Sequence, residues 1–263
     1  MHSLRKLIRI EFPIIILLVL SLTSITAAQN KYDFKQFANE TGDYFSAPSN
    51  WNKNDFITLG LISAATFGLM YADQPIKNGM AEINSNKNNW LMEFGRYWGE
   101  PIPSVAISGL LLIHGYAFDN STTKKIGYEV GQSFIYSVTV SSVLKIIIGR
   151  ARPYTGNDPF TFEPFAFQNN NWSLPSGHTT VAFSLSTVLA ANIDSYALKA
   201  AAFVPAFLTA FSRVYQNHHW TSDVFLGAIV GYFVGKFVTD LHAENELTAQ
   251  MTQVPLLSLS LTF

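Results

Sequence analysis

The sequence predicts an all-α fold: a bundle with a six-helix core, its active site at the helix ends, an irregular N-terminal lead-in and a C-terminal tail. Three observations predict it. Only 13% of the 263 residues are charged while 48% are hydrophobic. Soluble domains carry about 25% charged residues, so this chain has ample apolar surface to offset its conformational entropy and is not disordered. Six apolar segments recur along it, each longer than an ordinary strand and therefore read as helices. Those segments are rich in small residues, and Gly227, Gly231 and Gly235 stand four apart, a spacing that lets helices approach closely in membranes and in soluble cores alike. The net charge of −1 excludes a broad basic surface for nucleic acid. The absence of Cys excludes a disulfide, a thiolate metal site and a cysteine nucleophile.

Residues 1–28 read as a signal peptide. Arg5, Lys6 and Arg9 precede the apolar run Pro13–Leu20, and Thr26-Ala27-Ala28 supplies the small residues of a cleavage site. The alternative is an uncleaved membrane anchor; in both cases Asn30 onward is expected outside the cytoplasm. Residues 29–55 form a polar and aromatic lead-in, irregular or briefly helical. The helical domain occupies 56–240, with segments Phe56–Ala72, Pro101–Phe118, Ile126–Ile148, His178–Ile193, Tyr196–Phe211 and Asp223–Thr239. Between them, 73–100 is polar with a short helix near Trp90–Trp98, and 154–174 is a long aromatic loop of a length usually reserved for function. The tail, 241–263, ends in the alternation Leu257, Leu259, Leu261, Phe263, which suggests a docked strand.

Three polar clusters fall near helix ends. In the first, Lys145 and Arg152 are seven residues apart, two helical turns, and Pro153 stops the segment. A lysine among Val143, Leu144, Ile146 and Ile147 is costly to bury unless an anion meets it; otherwise it snorkels to water. In the second, Pro175-Ser176-Gly177-His178 opens an apolar helix. Ser176 suits the N-cap, Gly177 admits an anion to the backbone, and His178 in the first turn faces that anion. The bland reading is a plain cap and a solvated histidine. In the third, Ser212-Arg213 precedes His219 and Asp223, which stand four apart, so a helix would set the carboxylate beside the imidazole. A carboxylate on one ring nitrogen fixes the tautomer and leaves the other nitrogen free. His218 competes for that role, but its partner four residues on is Ser222. Together the clusters supply cations, a backbone nest, two histidines and an orienting Asp, which suits phosphoryl transfer.

These blocks resemble the signature of the type 2 phosphatidic acid phosphatase family, K-x6-R-P, P-S-G-H and S-R-x5-H-x3-D. Here they read Lys145–Pro153, Pro175–His178 and Ser212–Asp223, in order and with every signature position matched. The superfamily also holds bacterial acid phosphatases and vanadium haloperoxidases. The resemblance implies that His219 attacks phosphorus, Asp223 orients it, and His178 protonates the leaving oxygen. It implies that Lys145, Arg152, Arg213, Ser176 and Gly177 hold the phosphate. No metal and no cofactor are implied. The expected substrate is a phosphomonoester or diphosphate of a lipid; the rivals are a vanadate-dependent haloperoxidase and a soluble acid phosphatase.

Topology pulls the other way. Six crossings counted from outside would leave Lys145, His178 and His219 in the cytoplasm, whereas the lipid phosphatases resembled here work on the outer face. Phe56–Ala72 is short for a span, and Lys199 and Lys236 interrupt two others. The expectation is therefore an exported, membrane-associated or periplasmic bundle whose site faces the periplasm, with an integral six-span protein as the alternative.

Overall fold

The computed structural model describes residues 30–83 and 89–253; the proposed signal peptide and the terminal strand lie outside them. The helices are α1 (Phe34–Ser46), α2 (Lys53–Ile83), α3 (Trp90–Trp98), α4 (Pro101–Ala117), α5 (Ser121–Ile148), α6 (Gly177–Ala191), α7 (Tyr196–Ala202), α8 (Val204–Tyr215) and α9 (Thr221–Gln253). Among the described residues there is no strand, only an isolated bridge between Arg150 and Phe162. Tyr32–Asp240 form one compact unit that contains every candidate site residue. The described part of the second unit is residues 30–31 and 241–253, where Asn30 donates to the His242 carbonyl and Asn245 to the Asn30 side chain.

Local chemistry explains most helix starts. Asp33, Asn89 and Asn120 each accept a backbone N–H of the first turn, at α1, α3 and α5 respectively. Pro101 opens α4, where its missing N–H costs nothing. The fifth apolar segment is not continuous: it breaks at Phe203 into α7 and α8, because the ring of Pro205 clashes with a carbonyl one turn back. The first segment is longer than expected, since α2 continues through the polar stretch after Ala72 and carries Asp73. The lead-in is more regular than expected. In α1, Glu40 is buried and accepts from Gln132, while Tyr44 stacks on Tyr136 with ring centroids 4.3 Å apart.

Helix α6 is the axis of the bundle. Nearly all of it from Thr179 to Ala190 is buried, as expected of a helix apolar or small all round. Val130 of α5 packs on Leu185 and Val188, and Ala206 of α8 packs on Ala182 and Phe183. The opposite face of α6 meets α9 backbone to backbone. A Cβ on Gly231 would lie 2.2 Å from the Thr180 carbonyl oxygen, and one on Gly227 or Gly235 would lie 2.7 or 2.8 Å from those of Ser176 and Ser184. Gly231→Val is therefore expected to destabilise the bundle by about 1–3 kcal/mol or more through overpacking. The matched control is Gly60→Ala, where a Cβ meets nothing. Thermal unfolding in detergent checks this; equal midpoints for the two variants would overturn the close-packed contact.

The ends of α5 and α8 meet the starts of α4, α6 and α9, with Asp73 and Lys77 of α2 beside them, and this end of the bundle carries the site.

Candidate active site

Lys145 lies in the last turn of α5 and donates to the Trp172 carbonyl at 2.7 Å. The helix does not continue to Arg152. Gly149 caps it in the left-handed region (φ 63°), and a Cβ there would fall 1.7 Å from the Glu163 carbonyl oxygen, so only glycine fits. Arg150 to Arg152 then run extended against the aromatic loop, with Ala151 N–H on Thr161 and Arg152 N–H on Asn170. The two-turn helical pairing of Lys145 with Arg152 is thus corrected: the turn at Gly149 brings them together. Arg152 is held by the Asn169 carbonyl and side chain, both at 3.0 Å.

Ser176 occupies the N-cap position of α6, but its hydroxyl makes no cap bond to the helix and instead accepts from Thr179. Its N–H donates to the Asp223 carbonyl at 3.0 Å, which ties the start of α6 to the start of α9. Gly177 sits against Lys145: a Cβ on it would lie 3.5 Å from the lysine Cε. His178 follows, its Nε2 3.3 Å from Glu100.

The third block is also built by a turn. The Arg213 carbonyl accepts N–H bonds from both His218 and His219, and Asn217 takes a positive φ of 60° to close that turn. Arg213 and His219 are thereby locked side by side, each only 3% exposed. His219 precedes α9 rather than lying on it, so the expected helical spacing to Asp223 does not make the contact. Asp223, at the third position of α9, reaches back to the Trp220 N–H at 2.8 Å, the acidic half of a capping box. The same oxygen accepts from Ser173 at 2.5 Å and lies 3.5 Å from His219 Nδ1.

Burial pushes the His219 imidazole well below its ordinary pKa, and Lys145, Arg152, His178 and Arg213 push it further. Lys145, Arg152, His178 and Arg213, drawn from all three blocks, therefore act on one ring. His178 is pushed down to about 4, first by burial and then by Arg213, with Glu100 opposing. His218 faces the side cavity instead, in contact with Tyr154. That cavity, of about 670 Å³, is lined by Lys77, Glu93, Arg96, Tyr154 and Gln216 among others. Trp220, next to His219, packs into the core. It is 1% exposed and its Nε1 donates to the Ala151 carbonyl.

Sequence reasoning missed the fully buried network behind Asp223. Arg150 donates to Asp223 at 2.6 Å, to Asp73 at 2.8 Å, to Ser222 at 2.7 Å and to the Pro159 carbonyl at 2.9 Å. Asp73 also accepts from the Ser222 N–H and hydroxyl. The available signal was a lone acid at the end of an apolar helix and a second arginine two residues before the Arg-Pro pair.

Among the described residues, four helical stretches are long and apolar enough to cross a bilayer: Lys53–Glu82, Ser121–Ile148, Tyr196–Tyr215 and Thr221–Asn245. The view of Phe56–Ala72, Tyr196–Phe211 and Asp223–Thr239 as marginal spans is corrected, because each lies within a longer helical stretch of this set.

Residues 128–246, which contain all three blocks, match the PAP2 superfamily model. The chain is 26% identical over 167 residues to an undecaprenyl-diphosphatase of Sulfolobus acidocaldarius, covering 63% of this chain and 74% of that protein. It is 39% identical over 74 residues to a lipid A 1-phosphatase of Porphyromonas gingivalis, 26% of this chain and 17% of that protein. Its fold is similar to that of a transmembrane PAP2-type phosphatidylglycerolphosphate phosphatase of Bacillus subtilis, with a TM-score of 0.55 and 23% identity over 72% of this chain and 94% of that one. The chain is thus similar to the PAP2 superfamily over the stretch that holds all three blocks, and its bundle has the fold of a PAP2-type phosphatase.

Proposed function

We propose that this chain is a phosphatase that hydrolyses a phosphorylated lipid through a phosphohistidine on His219, with no metal ion in the reaction. One observation carries the reading: Lys145, Arg152, Arg213 and His178 all bear on the imidazole of His219, whose other side faces Asp223 at 3.5 Å. Asp223 faces Nδ1–H and leaves the Nε2 lone pair for attack. Burial keeps that ring neutral at physiological pH, as a nucleophile requires. The N–P bond forms as the ester P–O bond breaks, and the leaving oxygen takes a proton from His178. Lys145, Arg152, Arg213 and the Gly177 N–H at the head of α6 hold the phosphoryl oxygens. Water then gives a proton to His178 and its oxygen to phosphorus, the N–P bond breaks, and phosphate departs.

A lipid substrate is supported by the relatives and by the surface. The apolar parts of the four membrane-length stretches are only 11–33% buried, and Leu61, Leu110, Ile113 and Phe207 are exposed. Soluble proteins rarely expose apolar area of that extent, which favours a lipid over a soluble ester. The bundle belongs in the cell envelope with the site facing the periplasm. Helix α2 then starts on the cytoplasmic side, because its later half carries Asp73 and Lys77 to Arg150 and Pro153 at the site end. Phosphate release from phosphatidic acid, phosphatidylglycerol phosphate, an isoprenyl diphosphate, lipid A and a soluble phosphomonoester tests the reading. The lipids are expected to exceed the soluble ester in kcat/KM by at least about tenfold, from binding energy of the apolar chain. A preference for the soluble ester would overturn it.

A further inference from the structure

The turn between α3 and α4 lies outside every signature block, yet it touches both sides of the site. Glu93, Arg96 and Glu100 share one face there at three- and four-residue spacing. Arg96 binds Glu93 at 2.9 Å and Glu100 at 2.7 Å. Glu93 accepts from Gln216 at 2.7 Å, and Gln216 accepts from Arg213. At the other end the same Glu100 oxygen lies 3.3 Å from His178 Nε2. A continuous polar path thus joins the phosphate-binding arginine to the acid histidine.

Two glycines press this segment into place. A Cβ on Gly95 would lie 2.5 Å from the Leu208 carbonyl oxygen of α8, and one on Gly99 would lie 2.6 Å from the His178 carbonyl oxygen and 2.9 Å from its Cβ. Thr209 adds a bond to the Gly95 carbonyl at 2.6 Å. Glu100 is therefore carried by backbone in direct contact with His178.

We infer that Glu100 is the positioning residue of the acid: its carboxylate holds His178 Nε2–H, fixes the ring, and leaves Nδ1 to exchange the proton with the leaving oxygen. The inference rests on the phosphohistidine reading above. The arrangement gives each histidine its own carboxylate, Asp223 for His219 and Glu100 for His178. The other groups acting on His178 are Arg213 of α8, Lys145 of α5 and the neighbouring His219. The two cations oppose a proton on the ring, and Glu100 alone among these groups favours one. In the first step Nδ1 gives its proton to the ester oxygen as P–O breaks; in the second, attacking water returns it.

The test is the dependence on leaving group in Glu100→Gln. An alkyl or prenyl phosphate needs a protonated leaving oxygen; p-nitrophenyl phosphate releases a stable phenolate and does not. For the alkyl ester kcat is expected to fall about 10- to 100-fold with KM little changed, part of the general-acid contribution, while p-nitrophenyl phosphate loses far less. The limb of the kcat profile that requires protonated His178 moves to lower pH, and Glu100→Asp restores part of the activity. Equal losses on both substrates with an unmoved limb would mean a structural role and overturn the inference. If Glu100→Gln does not fold, as judged by its thermal midpoint, Glu100→Asp carries the same comparison. Parallel measurements on His178→Ala separate the two levels. A leaving-group effect there but not at Glu100 defeats this inference alone, whereas no phosphate release by the unaltered protein from either ester defeats the functional reading.

Discussion

His219→Ala is expected to lower phosphate release by at least about 10³-fold, because it removes the nucleophile and not merely a contact. The unaltered protein, quenched in base during turnover of a ³²P-labelled ester, should retain label on the chain, since a phosphoramidate survives alkali and is lost in acid. The variant should retain none. Asp223→Asn in the His219→Ala background should add little further loss, because residues that act as a unit are not additive. Activity within tenfold of the unaltered protein would overturn the nucleophile assignment. The variant should fold, since His219 Nδ1 makes no hydrogen bond among the described residues and the turn is held by backbone bonds to Arg213.

Arg150→Ala is the substitution expected to cost most in stability. Arg150, Asp73 and Asp223 have fully buried side chains. Removing the guanidinium strands two buried carboxylates, and breaking a buried pair in this way costs about 3–5 kcal/mol. That is a large part of the roughly 5–15 kcal/mol that holds a domain folded. Arg150→Lys should recover little, because one ammonium cannot make four bonds in the directions a planar fork reaches. Asp73→Asn combined with Arg150→Met should unfold less readily than Arg150→Ala, since one stranded charge is gone. Thermal unfolding in detergent reads all three. A midpoint for Arg150→Ala equal to that of the unaltered protein would show that the network carries no net stability. The same substitution reaches the chemistry, because Arg150 fixes one Asp223 oxygen and so turns the other toward His219.

How far the sequence could be read depended on the distance over which each feature acts. The helices were legible because apolar length and period are local properties, and the glycines of α9 announced a close contact that the backbone of α6 makes. The boundaries were less legible. Pro205 breaks the fifth segment and Asp73 lies inside a helix that composition had ended at Ala72, since propensity weighs residues and not the partners that satisfy them. In the site, all eight candidates fall at the convergent helix ends. Two explanations for their meeting were wrong, however: Lys145 meets Arg152 through a left-handed glycine, and His219 meets Asp223 through a capping turn.

The sequence by itself determined the helical class, the three polar blocks and the chemistry they suit, because residue type and short spacing carry that information. The pairing of groups from distant elements was decided only in the tertiary structure. Asp73 comes from α2, Glu100 from the start of α4, and Arg150 from the turn after α5, with Asp73 77 positions before the arginine that binds it. No local pattern marks them, and their value as partners exists only where folding removes water and leaves a charge that must be answered by another.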